Sequence, residues 1–173
     1  IPIVNFVAPR GIDFSHSGYV VMDGMYYCFL FIRRNGYPGV VRAGWMTALI
    51  NAGEGVDVDI HLKRENRSKT IDKVAQRIRL NRTKIKNLQD TSTDYEELSN
   101  SIQAGYYIKE GIANNEDLFY MSTFITISAK GYEELMWRKQ QVTDMLKSMD
   151  IAVSDCRFQQ EAAFRSVMPF LYI

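Results

Sequence analysis

Histidine and cysteine are scarce in this chain of 173 residues, with two of each. His16 and His61 lie far apart, and neither stands at ligand spacing from Cys28 or Cys156, so no zinc-type ligand set can be assembled locally. The same scarcity leaves Ser-His-Asp and Cys-His catalysis without a local constellation. No glycine is followed by lysine, which removes the phosphate-cradling P-loop, and GxGxxG, HExxH and GxSxG are missing as well. Charge of one sign is also lacking: 21 Lys+Arg stand against 20 Asp+Glu, a formal net charge of +1. That balance argues against binding nucleic acid or anionic membrane with the whole surface. No apolar run approaches the roughly 18 residues that span a bilayer.

What is present is core. Hydrophobic residues make up 46% of the chain, which excludes a disordered tail. A chain of this length can bury about 70% of its unfolded surface in one domain. Cys28 and Cys156 sit in apolar or mixed strand-like runs and read as two buried free thiols of a cytoplasmic protein. The chain starts at Ile1 with no basic-then-apolar leader, and it stops in the apolar run from Val167 to Ile173. Both ends read as cuts, so an excised domain or processed piece is expected.

Residues 1–18 are rich in Pro, Gly and Ser and read as an arm; residues 19–168 read as a single α+β domain. Asp23-Gly24 between two β-rich runs predicts a hairpin, because a type I′ turn needs positive φ at both central positions. The run Met25 to Ile32 is apolar on both alternating faces, as a central strand is. A helix is predicted over 43–52, with Trp45, Leu49 and Ala52 on one face and Gly53 as its stop. The strand 56–63 alternates, with Val56, Val58, Ile60 and Leu62 predicted inward and Asp57, Asp59, His61 and Lys63 outward, near a sheet edge. His61 is expected to be solvated. Asp57 and Asp59 share a face able in principle to chelate a cation, but a solvated edge is the expectation.

Over about 68–110 the spacing of Ile71, Val74, Ile78 and Ile85, with Asn81 in the vacant slot, predicts an antiparallel helical hairpin. Thr93 and Glu96 have capping-box spacing. A strand over 116–130 is again apolar on both faces. A helix over 132–149, a strand over 151–156 and a last helix over 158–167, ended by Pro169, complete the order. With the first strand, the helical hairpin and the last helix set aside, the order is βαββαβ, a ferredoxin-like unit. The strand at 19–22 then competes for a side of 25–32 that the core fold already uses. Something must also cover the second face of the central strands.

Charge is concentrated in the hairpin. From Lys63 to Lys86 ten basic residues stand against Glu65 and Asp72; from Asp90 to Asp117 seven acidic residues stand against Lys109. Pairing of these flanks with each other or with a partner protein is preferred to phosphate binding, since the acidic neighbour lowers the local potential. An RNA-recognition module is the fold-level rival. The strand Leu118-Phe119-Tyr120-Met121-Ser122-Thr123-Phe124-Ile125 has aromatics but lacks that module's glycines and basic residue.

Three stretches carry a resemblance: Gly36 to Met46, Asp57 to Leu62, and Gln160 to Pro169 with its Phe-x-x-x-x-Pro exit. In this order they resemble the N-terminal domain of TrbE/CagE-type conjugative-transfer ATPases of type IV secretion systems, in the branch of Gram-positive conjugative transposons. The resemblance runs from about Gly18 to Pro169. It implies a fragment that is not itself an enzyme, without cofactor or metal. The parent would be an ATPase whose P-loop lies beyond residue 173, with 169–173 beginning the linker. It also implies assembly with other type IV secretion components and with further copies of itself, at the cytoplasmic face of the membrane, in support of DNA transfer. The basic helix supplies the candidate contact residues Arg67, Lys73, Arg77, Arg82 and Lys84, beside the strand edge at 56–63. A single-stranded nucleic-acid-binding module is the alternative.

Overall fold

The computed structural model describes residues 9, 11–38, 41, 43–87 and 92–168. Among them the elements follow in the order β1 (Ile12–Asp13), β2 (Val20–Met22), β3 (Met25–Ile32), α1 (Thr47–Ile50), β4 (Val56–Arg64), α2 (Arg67–Asn87), α3 (Ser92–Ala113), β5 (Phe119–Ala129), α4 (Tyr132–Ser148), β6 (Val153–Asp155) and α5 (Gln160–Val167). The six strands form one sheet in the order β1-β2-β3-β5-β4, with β6 also on β3. Taken as β3-α1-β4-β5-α4-β6, this is the ferredoxin-like α+β fold, with β3 and β5 central and β4 at an edge. The chain divides into two compact units, residues 1–61 with 122–173 and residues 62–121.

In the first unit, Asp23 (φ 51°) and Gly24 (φ 79°) make the two-residue turn that sets Met22 opposite Met25. The competition for β3 is resolved by division. On one side β5 pairs along Tyr26–Phe31; on the other, β2 takes Met25–Tyr27 and β6 takes Leu30–Ile32. Two short strands thus lie end to end along one long one. Ile12 and Asp13, read from sequence as arm, pair with β2 as β1. The arm is fixed further by Ser17, whose carbonyl accepts the Phe158 N–H at 2.9 Å and the Gln160 side-chain amide.

Period-two alternation gives the sheet two buried faces. Cys28, Leu30 and Ile32 pack with Ile125, Ile127, Leu135, Val142 and Leu146 on one. Each such Leu or Ile contributes about 1.5–3 kcal/mol through burial. On the other face Val20 and Phe29 pack with Cys156 and Ala163, joined by Phe14 and Phe164. The last helix and the arm therefore cover this part of the second face. Helix α4 ends in a Schellman-type cap: Asp150 is left-handed (φ 57°), and the Ile151 N–H reaches back to the Leu146 carbonyl at 2.9 Å. Arg138 fixes the start of β4, donating to the carbonyls of Glu54 at 2.6 Å and Ser128 at 3.0 Å.

Two expectations are corrected here. The helix predicted over 43–52 is only Thr47–Ile50, preceded by turns and by Gly44 at φ 78°, and it has no side-chain cap. Leu49 is buried within it and Trp45 packs on the core from the turn before, but Ala52 is exposed. In β4 the alternation holds, but its inward face is covered only in part. Val56 and Val58 pack against the core, whereas Ile60 is 44% exposed and Leu62 63% exposed.

The second unit is the helical hairpin with the strand ends that carry it. Ile78 lies against Gly105, and the Asn81 side-chain amide donates to Ser101 Oγ at 2.9 Å, so the helices run antiparallel. A Cβ on Gly105 would sit 2.7 Å from Ile78 Cγ1, so the glycine is what lets the helices approach this closely. The polar turn and the Thr93 side chain of the expected capping box lie outside the described residues, as does Pro169.

Candidate partner-binding surface

Helix α2 starts on Asn66, whose Oδ1 accepts the Lys69 N–H at 3.1 Å and whose carbonyl accepts the Thr70 N–H at 3.0 Å. Helix α3 ends on Asn115, left-handed at φ 71°, with the Glu116 N–H bonded to the Gly111 carbonyl at 2.9 Å. Arg67 joins these two ends. Its guanidinium donates to Oδ1 and the carbonyl of Asn115, and its Nε lies 2.8 Å from Asp117. Arg64 holds the same carboxylate at 2.8 Å. Hydrogen bonds from Arg64 and then Arg67 keep the Asp117 carboxyl below its ordinary value.

The five cations singled out in the sequence therefore do not form one patch. Arg67 is committed to closing the hairpin. Lys73, Arg77 and Lys84 are exposed at spacings of four and seven residues, which sets them on one stripe with exposed Leu80 among them. Arg82, nine residues on from Lys73, falls on the opposite side of the helix, and its guanidinium carbon stands 5.3 Å from the centre of the Tyr106 ring.

Among the described residues no ion pair joins α2 to α3, although Lys84 shares a groove with Asp94 and Glu97 of α3. At one end of the hairpin, Leu80, Lys84, Asp94, Glu97 and Leu98 help to line a groove of about 570 Å³. Large apolar groups are exposed in the same unit: Tyr95, Tyr107 at 78%, and Leu62, Phe119, Tyr120 and Met121 on the strand ends. Sequence reasoning missed the strand-end residues because alternation identifies a face without saying whether anything covers it.

In the first unit, His61 is not solvated. It is half-buried, its Nε2 has no hydrogen-bond partner, and its ring stands edge-on to Phe124 with centroids 5.7 Å apart. Asp57 is exposed and Asp59 half-buried; burial pushes the Asp59 carboxyl above its ordinary value. His16 stacks on Tyr19 with centroids 4.3 Å apart. Both cysteines are free and buried, and burial raises the Cys28 thiol to about 12 and the Cys156 thiol to about 11. Neither is a ready thiolate nucleophile.

On the second sheet face Phe31 and Phe124 are half-buried beside each other, with ring centroids 6.4 Å apart. Phe29 is buried there under Ala163 and its neighbours. Among the described residues no group of three or more His, Cys, Asp or Glu is placed to hold a metal ion. No described helix is long and apolar enough to cross a membrane. No protein-family model matches the chain, and no curated protein matches it.

Proposed function

We propose that this chain is a non-catalytic assembly domain, of the kind that precedes the motor in conjugative-transfer ATPases of type IV secretion systems. It works through contacts with channel components and with other subunits, at the inner face of the cell membrane. The observation that carries the reading is the stripe Lys73–Arg77–Leu80–Lys84. It is exposed, cationic around an apolar centre, and unpaired to α3 among the described residues. Such a surface suits an acidic protein partner, with charge governing encounter and Leu80 supplying apolar contact. The burial of Phe29 weighs against base stacking on the sheet, and Asp57 and Asp59 on that side would repel phosphate.

Reversal of Lys73, Arg77 and Lys84 to Glu tests the proposal. The expected result is at least about a tenfold loss of partner capture and of conjugal transfer, with the circular dichroism spectrum unchanged. Undiminished capture and transfer would overturn the assignment of the stripe. Salt-sensitive binding of an oligonucleotide by the parent domain, abolished by the same reversal, would favour the nucleic-acid reading.

A further inference from the structure

The second face of the sheet holds a cavity of about 430 Å³ whose lining includes Tyr27, Phe29, Asp57, Asp59, Thr126 and Phe164. Volumes of this order suit small-molecule sites. Its position follows from strand pairing. Phe29 is opposite Thr126 across β3 and β5, and the Ser128 N–H donates to the Gly55 carbonyl at 2.8 Å, a register that brings Asp57 beside Thr126. The solvated acidic edge expected from the sequence holds for Asp57, which is exposed, whereas Asp59 is half-buried and Phe164 of the last helix shares the lining of the space beside it.

Thr126 is the independent pointer. It is only 9% exposed, it lines the cavity, and its Oγ1 has no hydrogen-bond partner. Native proteins seldom bury a hydroxyl this way without a partner arriving from elsewhere. His61 Nε2, two residues beyond Asp59 on the same strand face, is the other such atom among the described residues.

The lining selects the ligand. Two carboxylates exclude an anion. A hard metal ion needs more converging ligands than the described residues bring together. A neutral apolar molecule would leave the half-buried Asp59 carboxylate and the Thr126 hydroxyl unmatched. We propose that the cavity binds a primary alkylammonium group, its ammonium held by Asp57 and Asp59 with Thr126 Oγ1 as a further acceptor, and its alkyl body against Phe29 and Phe164. The ammonium brings three donors to acceptor groups, and the aromatic walls favour a cation. Asp59 is half-buried and so only partly hydrated, and a charge-assisted bond would make up the part that burial removes. This inference uses residues of the first unit alone and stands apart from the assembly reading.

The test is a methyl-resolved NMR titration of the full chain with n-hexylamine, with n-hexanol and hexanoate as shape-matched controls and Nα-acetyl-lysine methylamide as the side-chain form. Saturable shifts of the Thr126 and Val167 methyl groups are expected with the amines. The controls should bind at least about tenfold more weakly, and Asp57→Asn with Asp59→Asn should lower amine affinity at least about tenfold. Thr126→Val should weaken it several-fold while the amide spectrum stays dispersed. The tighter of the two amines identifies a free amine or a lysine side chain as the source. No saturable shift with either amine, equal binding of hexanol, or affinity unchanged in the Asn variants would overturn the site. Should the double variant not fold, the Thr126→Val titration and the comparison of controls decide.

Discussion

The two units are built on opposite principles. The sheet unit fully buries Leu30, Leu49, Ile125, Ile127, Leu135 and Leu146, all of them aliphatic. The hairpin unit buries Ile78 and Ile112, but also Asn81 and the bare backbone of Gly105, while leaving Leu62, Leu80, Tyr107 and Phe119 in solvent. The first centres on a dense aliphatic core, although it too exposes Ile50, Trp137 and Phe158. The second is held by a glycine contact, one amide–hydroxyl bond and an arginine clamp, and keeps much of its apolar surface for something else. A region of this kind opens at lower free energy than a dense core, and binding elements are drawn from such regions.

The comparison can be broken most forcefully from the sheet side. Leu30→Ala should cost about 2–5 kcal/mol and lower the midpoint of global unfolding in urea. A loss below about 1 kcal/mol would mean the core is not where the stability lies. Gly105→Ala comes next. The added Cβ would press on Ile78, and forcing the helices apart should cost the hairpin about 1–3 kcal/mol despite the better helix propensity of alanine. Amide exchange should accelerate in α2 and α3 while β3 and β5 keep their protection. Uniform acceleration would show that the two units unfold together.

Acid gives the smallest and most discriminating effect. Asp117 is held below its ordinary value of 3.8, so its contribution is fully present above that value and is lost as pH falls through the lower folded value. Asp59 is shifted the other way. Its charged form carries the burial cost, and that cost is relieved as pH falls through its raised value. Acidification below about pH 4 should therefore loosen the hairpin before the sheet, as read by residue-level amide protection. Loosening of the sheet first would reverse the assignment.

Local chemistry was the legible part of this sequence. Asp23-Gly24 permits one tight turn, and the doubly apolar runs at 25–32 and 118–127 had to be central. The spacing of Val74, Ile78, Asn81 and Ile85 could describe only a helix with a seam. What failed was non-local. Nothing near residue 20 says that β2 and β6 share one side of β3. Alternation told which way Ile60 and Leu62 point, but coverage depends on residues distant in sequence. Arg67 looked free because its partner Asp117 is 50 residues away. Helical geometry alone separates Arg82 from Lys73, Arg77 and Lys84, although the run of charge in the sequence reads as one patch. The proposed amine cavity depends on α5 packing against β3 beside β4, an arrangement that no local pattern encodes.

The bond pair at Ser17 carries a mechanical consequence. One carbonyl takes both the Phe158 N–H and the Gln160 side chain, and Phe14 stands edge-on against Phe164, so the segment between β1 and β2 and the last helix are latched to each other. A pull along α5 is resisted by the latch as well as by the helix's own packing. Tension applied at α5 is thereby passed to the segment between β1 and β2 as well as to the sheet.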